Sequence, residues 1–177
     1  MSQASQTFEQ SILDAENLLK HFNTLNSHPL PADIEVLKRA GLVMAMTAWE
    51  TYVEDRIQEA TEHRLGALNS ADVAEFVQSK LAEEIRRLHN PTSTKTLELF
   101  RDYAGVNLSG WWSWNGGDEK MTCNRLDDYL RLRGEVVHRS RRLTREHGEA
   151  HPVTKEDLEK AIRFLRRLVQ ATENAFE

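Results

Sequence analysis

Between Pro31 and Gly66 the chain offers one unbroken helical register, and a helix of that length dictates the architecture around it. Ile34, Leu37, Gly41, Met44, Ala48, Tyr52 and Ile57 recur at the three- and four-residue spacing that gathers side chains on one face of a helix. Pro31 suits the first position of such a helix, where a missing N–H costs nothing, and Gly66 ends it. The predicted helix runs roughly from Ala32 to Leu65. The small residues Ala40, Gly41, Ala45 and Ala48 would let another helix approach closely. So long a helix cannot bury its stripe alone, and it predicts the spine of a bundle.

The remaining segments repeat the same period. Phe8, Ile12, Ala15, Leu18, Leu19, Phe22 and Leu25 predict a first helix, ended by the loop signal Asn26-Ser27-His28-Pro29-Leu30-Pro31. Ser70 is the predicted cap of a third helix with Val73, Phe76, Val77, Leu81, Ile85 and Leu88 on its apolar side, broken by His89-Asn90-Pro91. A short fourth helix is predicted from Ser93 to Ala104, stopped at Gly105. An irregular loop from Val106 to Lys120 follows. A fifth helix starting near Thr122 carries Leu126, Tyr129, Leu130, Leu132, Val136 and Val137. After a second loop, Glu146 to Val153, Thr154 and Asp157 resemble a capping box opening a last helix that runs to about Ala175. No strand pair, repeat or low-complexity segment is evident. The expected class is all-α, in one domain of 177 residues.

Composition narrows the function classes. No apolar run approaches the roughly 18 residues of a membrane span. Residues 1–5 lack the basic and apolar parts of a signal peptide. A cytoplasmic protein without membrane association is therefore expected. Cys123 is the only cysteine, which rules out an internal disulfide and a cysteine-based zinc site. His147 and His151 are four apart, but Gly148 and Pro152 argue against a regular helix there and no third ligand is evident, so no metal or other cofactor is expected. The formal net charge of −5 disfavours general coating of nucleic acid and leaves room for a local basic site.

Such a site is written at the end of the fifth helix. Arginine outnumbers lysine 16 to 7, and the stretch from Arg131 to Arg145 holds six arginines and no lysine. Arg133 and His138 stand within it. Histidine suits proton transfer near neutral pH, and arginine presents a permanently charged planar fork that fits phosphate oxygens. Cleavage of RNA by its own 2′-hydroxyl needs a base, an acid and positive charge beside the crowded phosphorus, and these two residue types supply all three without a metal. Five helical steps of about 100° nevertheless leave the pair about 140° apart. A one-face site thus requires a distorted helix near Gly134, an arginine that swings round, or residues from two chains. The competing reading is an exposed arginine and a histidine that ends the helix.

The segments Leu42-Val43-Met44-Ala45-Met46-Thr47-Ala48-Trp49-Glu50-Thr51-Tyr52-Val53-Glu54, Asn90-Pro91-Thr92 followed by Leu97-Glu98-Leu99-Phe100 and Tyr103-Ala104-Gly105, and Leu130-Arg131-Leu132-Arg133-Gly134-Glu135-Val136-Val137-His138 occur in an order and spacing that resembles the HEPN superfamily, in particular its RiboL-PSP-HEPN group. The resemblance runs from about residue 10 to 172. It implies an HEPN-like bundle of five to six helices around a long central one. It also implies a homodimer that brings two Arg-x4-6-His motifs to one cleft, and metal-independent endoribonuclease activity in a toxin or antiviral-defence setting, with an antitoxin or defence-system protein as partner. On that pattern Arg133 and His138 are the catalytic pair. Two departures accompany the match. Gly134 stands where many active members carry Asn or Asp, and Arg139 where many carry glycine. Some members are catalytically silent and bind RNA or a partner protein, and Gly134 points that way.

Further residues are candidates for supporting roles. Glu50, set among Met46, Ala48 and Trp49, is expected to be half buried; it either orients Arg133 or His138 across the bundle or forms a structural ion pair. Glu135 is a candidate to replace the polar group that Gly134 lacks. Arg131, Arg139, Arg141, Arg142 and Arg145 are the expected RNA-backbone contacts. Of Trp111, Trp112 and Trp114, at least two are expected to anchor their loop and one to remain open for a base or a partner. Arg163, Arg166 and Arg167 are expected at the surface.

Overall fold

The computed structural model describes residues 1–25, 34–67, 70–114, 117–139 and 153–177. Among the described residues there are six α-helices: α1 (Gln3–Leu25), α2 (Glu35–Leu65), α3 (Ala71–Arg86), α4 (Ser93–Leu99), α5 (Glu119–Arg139) and α6 (Lys155–Asn174). The class is all-α; among the described residues the only β feature is an isolated bridge between Trp114 and Gly117. No described helix is long and apolar enough to cross a membrane.

The long helix is the spine that its spacing predicts. Leu42, Ala45, Met46, Ala48, Trp49, Tyr52, Val53 and Ile57 are buried along it. Phe8 and Ile12 of α1 meet it on one side, and Leu158, Leu165 and Leu168 of α6 close the core. Gly41 marks the tightest approach: a β-carbon there would stand 2.7 Å from a methyl of Leu158. The interior is rich in aromatic edges, with Trp49 stacked obliquely against Tyr52 and meeting Trp112 edge-on at 6.3 Å.

Several local signals act as their chemistry demands. Thr154 accepts from the Asp157 amide while the Asp157 carboxylate accepts from Thr154, so both halves of the capping box are made. The Thr92 hydroxyl accepts from the Lys95 amide and starts α4. Asp127 of α5 accepts from both the amide and the hydroxyl of Ser93, which fastens α4 to the middle of α5. The indole N–H of Trp49 donates to the Pro91 carbonyl at 3.4 Å and ties the His89–Pro91 turn to the spine.

Two elements depart from expectation. The fourth helix does not stay regular to Ala104; it loosens into a π turn over Phe100–Ala104 and ends at Gly105 in the left-handed region, φ 65°. The Arg64 guanidinium packs where a β-carbon of residue 105 would stand. The third helix buries little: Leu81 is inside, but Val73 and Phe76 are 50% and 63% exposed. The Ser70 side chain makes no capping bond to α3.

The spine is fastened to the end of α6 by a buried ionic knot. Arg56 lies 2.8 Å from Glu173, Tyr52 donates to the same carboxylate oxygen at 2.9 Å, and the Ser2 amide donates to the other oxygen at 3.2 Å. The Arg56 guanidinium also covers the Phe176 ring at 3.5 Å.

Candidate functional site

Arg133 and His138 both lie on α5, which runs helically through Gly134 to Arg139. Gly134 does not interrupt it. The pair is therefore separated by about 140° around the axis and about 7.5 Å along it. Of the three ways to a shared site, local distortion drops out.

Arg133 is held rather than free. Its guanidinium Nη2 stands 3.6 Å from Glu50 Oε2 on the spine, with both side chains about three-quarters covered (25% and 21% exposed). That separation is an ion pair and too long for a hydrogen bond. The Arg133 Nε–H is buried and has no acceptor. Burial pushes the Glu50 carboxyl up from its ordinary value, while the nearby Arg133 and His89 pull it back. Glu54, one turn further along α2, is likewise raised by burial and by the charges of Glu50 and Asp55, and His89 again opposes. His89, at the turn before α4, thus lies near enough to act on both carboxylates. Nothing in its sequence surroundings announces this, because the turn reaches α2 only through the tertiary fold.

His138 is exposed, and no hydrogen bond or ion pair joins it to another described residue. Beside it opens an apolar groove between the start of α2 and the end of α5. Val36, Ala40, Val43, Met44, Val136 and Val137 line it together with Arg39. Val36 and Val137 are each 47% exposed, and the Arg39 Nε–H is a second buried donor without an acceptor.

The other candidates divide. The Glu135 carboxylate accepts from Arg131 at 3.2 Å, one turn back, and Arg131 also reaches Asp128 at 3.2 Å. Both residues are thus engaged along the outer face of α5, away from the Arg133–Glu50 contact. Arg141, Arg142, Arg145, His147 and His151 lie outside the described residues, as does the side chain of Arg139. Trp112 is fully buried and donates to Thr172 at 3.1 Å, Trp114 packs on Phe164, and Trp111 stays 48% exposed. Arg166 pairs with Glu9 and Glu16 of α1, whereas Arg163 and Arg167 are exposed. Among the described residues no group of three or more His, Cys, Asp or Glu side chains is arranged to hold a metal ion.

Gly134 itself sits in open space, with no atom within 4 Å of where a β-carbon would stand. Gly134→Ala is therefore expected to stabilise the protein by about 0.8–1 kcal/mol through helix propensity alone. Thermal or urea unfolding of the two proteins checks this, and a loss of stability would mean that the position is covered by another chain in solution.

No curated protein and no solved structure is significantly similar to the chain. A family model does match: the one described as RiboL-PSP-HEPN aligns with residues 8–177. With that match spanning nearly the whole sequence and an all-helical fold behind it, the chain belongs to the RiboL-PSP-HEPN family.

Proposed function

We propose that the protein is an endoribonuclease that works as a homodimer, with Arg133 and His138 of each copy at a shared cleft. The carrying observation is the state of Arg133: a cation held beside Glu50 by an ion pair, with its side chain still a quarter exposed. The Glu50 contact is too long to consume a donor, so the outward N–H groups of the guanidinium remain available to a phosphate oxygen.

The chemistry balances on two histidines. One imidazole takes the proton of the 2′-hydroxyl as that oxygen forms its bond to phosphorus. The second, protonated, gives its proton to the 5′-oxygen as the P–O5′ bond breaks. Arg133 stabilises the extra negative charge on the phosphorane. The products are a 2′,3′-cyclic phosphate and a 5′-hydroxyl. One copy supplies one His138, exposed and without a partner among the described residues, and a second copy would supply the other. The apolar groove beside His138 supports that arrangement, because a second copy laid over Val36 and Val137 would bring the two α5 ends together.

The proposal places the protein in a toxin or antiviral-defence setting, where a partner protein restrains it. The direct test is incubation of the purified protein with mixed RNA in excess EDTA. Cleavage to cyclic-phosphate ends is expected at an undiminished rate. RNA binding without cleavage would favour the silent-module reading, which the missing polar group at Gly134 supports.

A further inference from the structure

The far half of α5 and the outer side of α6 carry a second surface that the Arg133–His138 chemistry does not use. Two grooves meet there. One, of about 430 Å³, is lined by Gly110, Trp111, Trp114, Arg167 and Gln170. The next is lined by Trp114, Gly117, Met121, Arg125, Phe164 and Arg167. Trp114 and Arg167 belong to both, so the surface is continuous.

Its aromatic character is built. Trp112 is locked inside by its bond to Thr172, and Trp114 leans on Phe164, which also meets Tyr129. These anchors hold the loop, and Trp111 beside them stays 48% exposed. The surface carries three arginines. Arg125, Arg163 and Arg167 are all exposed, and none is in a hydrogen bond or ion pair with another described residue. Arg125 and Arg163 both act on Tyr129, as do the carboxylates of Asp128 and Asp157. Asp128 is paired with Arg131, and Asp157 caps α6 through the Thr154 amide and hydroxyl while keeping its charge. Arg166 shows the alternative fate, since it is absorbed by Glu9 and Glu16.

An exposed tryptophan beside Arg167, with Arg125 in the adjoining groove and Arg163 on the same helix as Arg167, none of the three paired with another described residue, is complementary to unpaired bases on a phosphate backbone. We propose that this surface is a binding subsite for single-stranded RNA, with a base stacked on Trp111 and the backbone crossing Arg167 toward Arg163 and Arg125. It rests on the reading of the protein as RNA-directed and adds a contact remote from the cleavage motif. Arg125 and His138 are 13 residues apart on one helix, about 20 Å along its axis, so the segment held here lies several nucleotides from the scissile bond.

The test uses the full chain carrying His138→Ala, so that RNA survives the measurement. Fluorescence anisotropy with a labelled single-stranded 12-nucleotide RNA reads affinity against salt. Adding Trp111→Ala is expected to weaken binding about tenfold, and Trp111→Phe to retain most of the affinity. Adding Arg163→Gln with Arg167→Gln is expected to reduce the slope of log affinity against log salt by about 1.4, two phosphates' worth for a single strand. All positions changed are at the surface, and circular dichroism verifies the fold. Unchanged affinity and slope in both variants would overturn the subsite, even if the unmutated protein cuts RNA. Lost affinity in protein that never cuts RNA would keep the subsite and remove the nuclease reading.

Discussion

Replacing His138 with alanine is expected to slow RNA cleavage by about a hundred- to ten-thousand-fold, the range that a positioned proton-transfer group contributes. Arg133→Ala is expected to cost about a hundred- to a thousand-fold through lost charge stabilisation. The double variant should be little slower than the worse single one, because the two groups serve one transition state. Arg133→Lys should not rescue, since a point charge replaces a planar fork whose orientation Glu50 helps to set. Two further readouts separate catalysis from folding. The rate should be bell-shaped in pH, because one imidazole must be neutral while the other is protonated. Mixing equal amounts of His138→Ala and unmutated protein under exchange should leave about a quarter of the dimers with both histidines, and the activity should fall to about a quarter. Activity that instead halves would mean that each chain carries a complete site. Unchanged cleavage by His138→Ala would remove that residue from the mechanism.

The second large effect concerns stability. Glu173→Gln is expected to destabilise the fold by about 3–5 kcal/mol, the usual cost of leaving a buried charge without its partner. Arg56 and Glu173 have side chains only 8% and 12% exposed, so solvent replaces the lost contact poorly. At about 2–4 °C per kcal/mol for a chain of this size, the melting temperature should fall by roughly 6–20 °C. The pair Arg56→Met with Glu173→Leu should recover much of that loss, because the penalty belongs to the orphaned charge more than to the bond. Burial alone would raise the Glu173 carboxyl, but the hydrogen bonds from Ser2 and Tyr52 and the charge of Arg56 outweigh it and hold it below the usual carboxylate range. Its contribution is thus present above the ordinary glutamate range and is lost as pH falls through the depressed folded value. The gap between parent and Glu173→Gln should narrow in acid. A gap that widens in acid would contradict the assigned direction.

Much of this architecture is legible in the residues. The spine, the α6 capping box and the separation of Arg133 from His138 follow from helical periodicity and short-range hydrogen bonding, which depend on near neighbours in sequence. What escapes is set by contacts between distant segments. The apolar spacing of Val73 and Phe76 is indistinguishable from a core stripe, yet the fold leaves them in water. The π turn at Phe100 has no local signature apart from Gly105. Three tryptophans within four positions read alike until Thr172 and Phe164 sort them. Likewise Arg163, Arg166 and Arg167 look equivalent, and only the proximity of α1 singles out the middle one.

The knot around Glu173 has a geometric corollary. Ser2 and Glu173 are joined directly, and Met1 and Glu177 line the same cavity, so the chain enters and leaves the bundle at one spot. That spot is at Arg56 on the spine, 12 residues and about 18 Å beyond Met44, the last spine residue of the apolar groove. A domain or tag fused to either end would therefore emerge clear of the face on which two copies would meet. If two copies met on that face, a fusion at either end would not have to cross it.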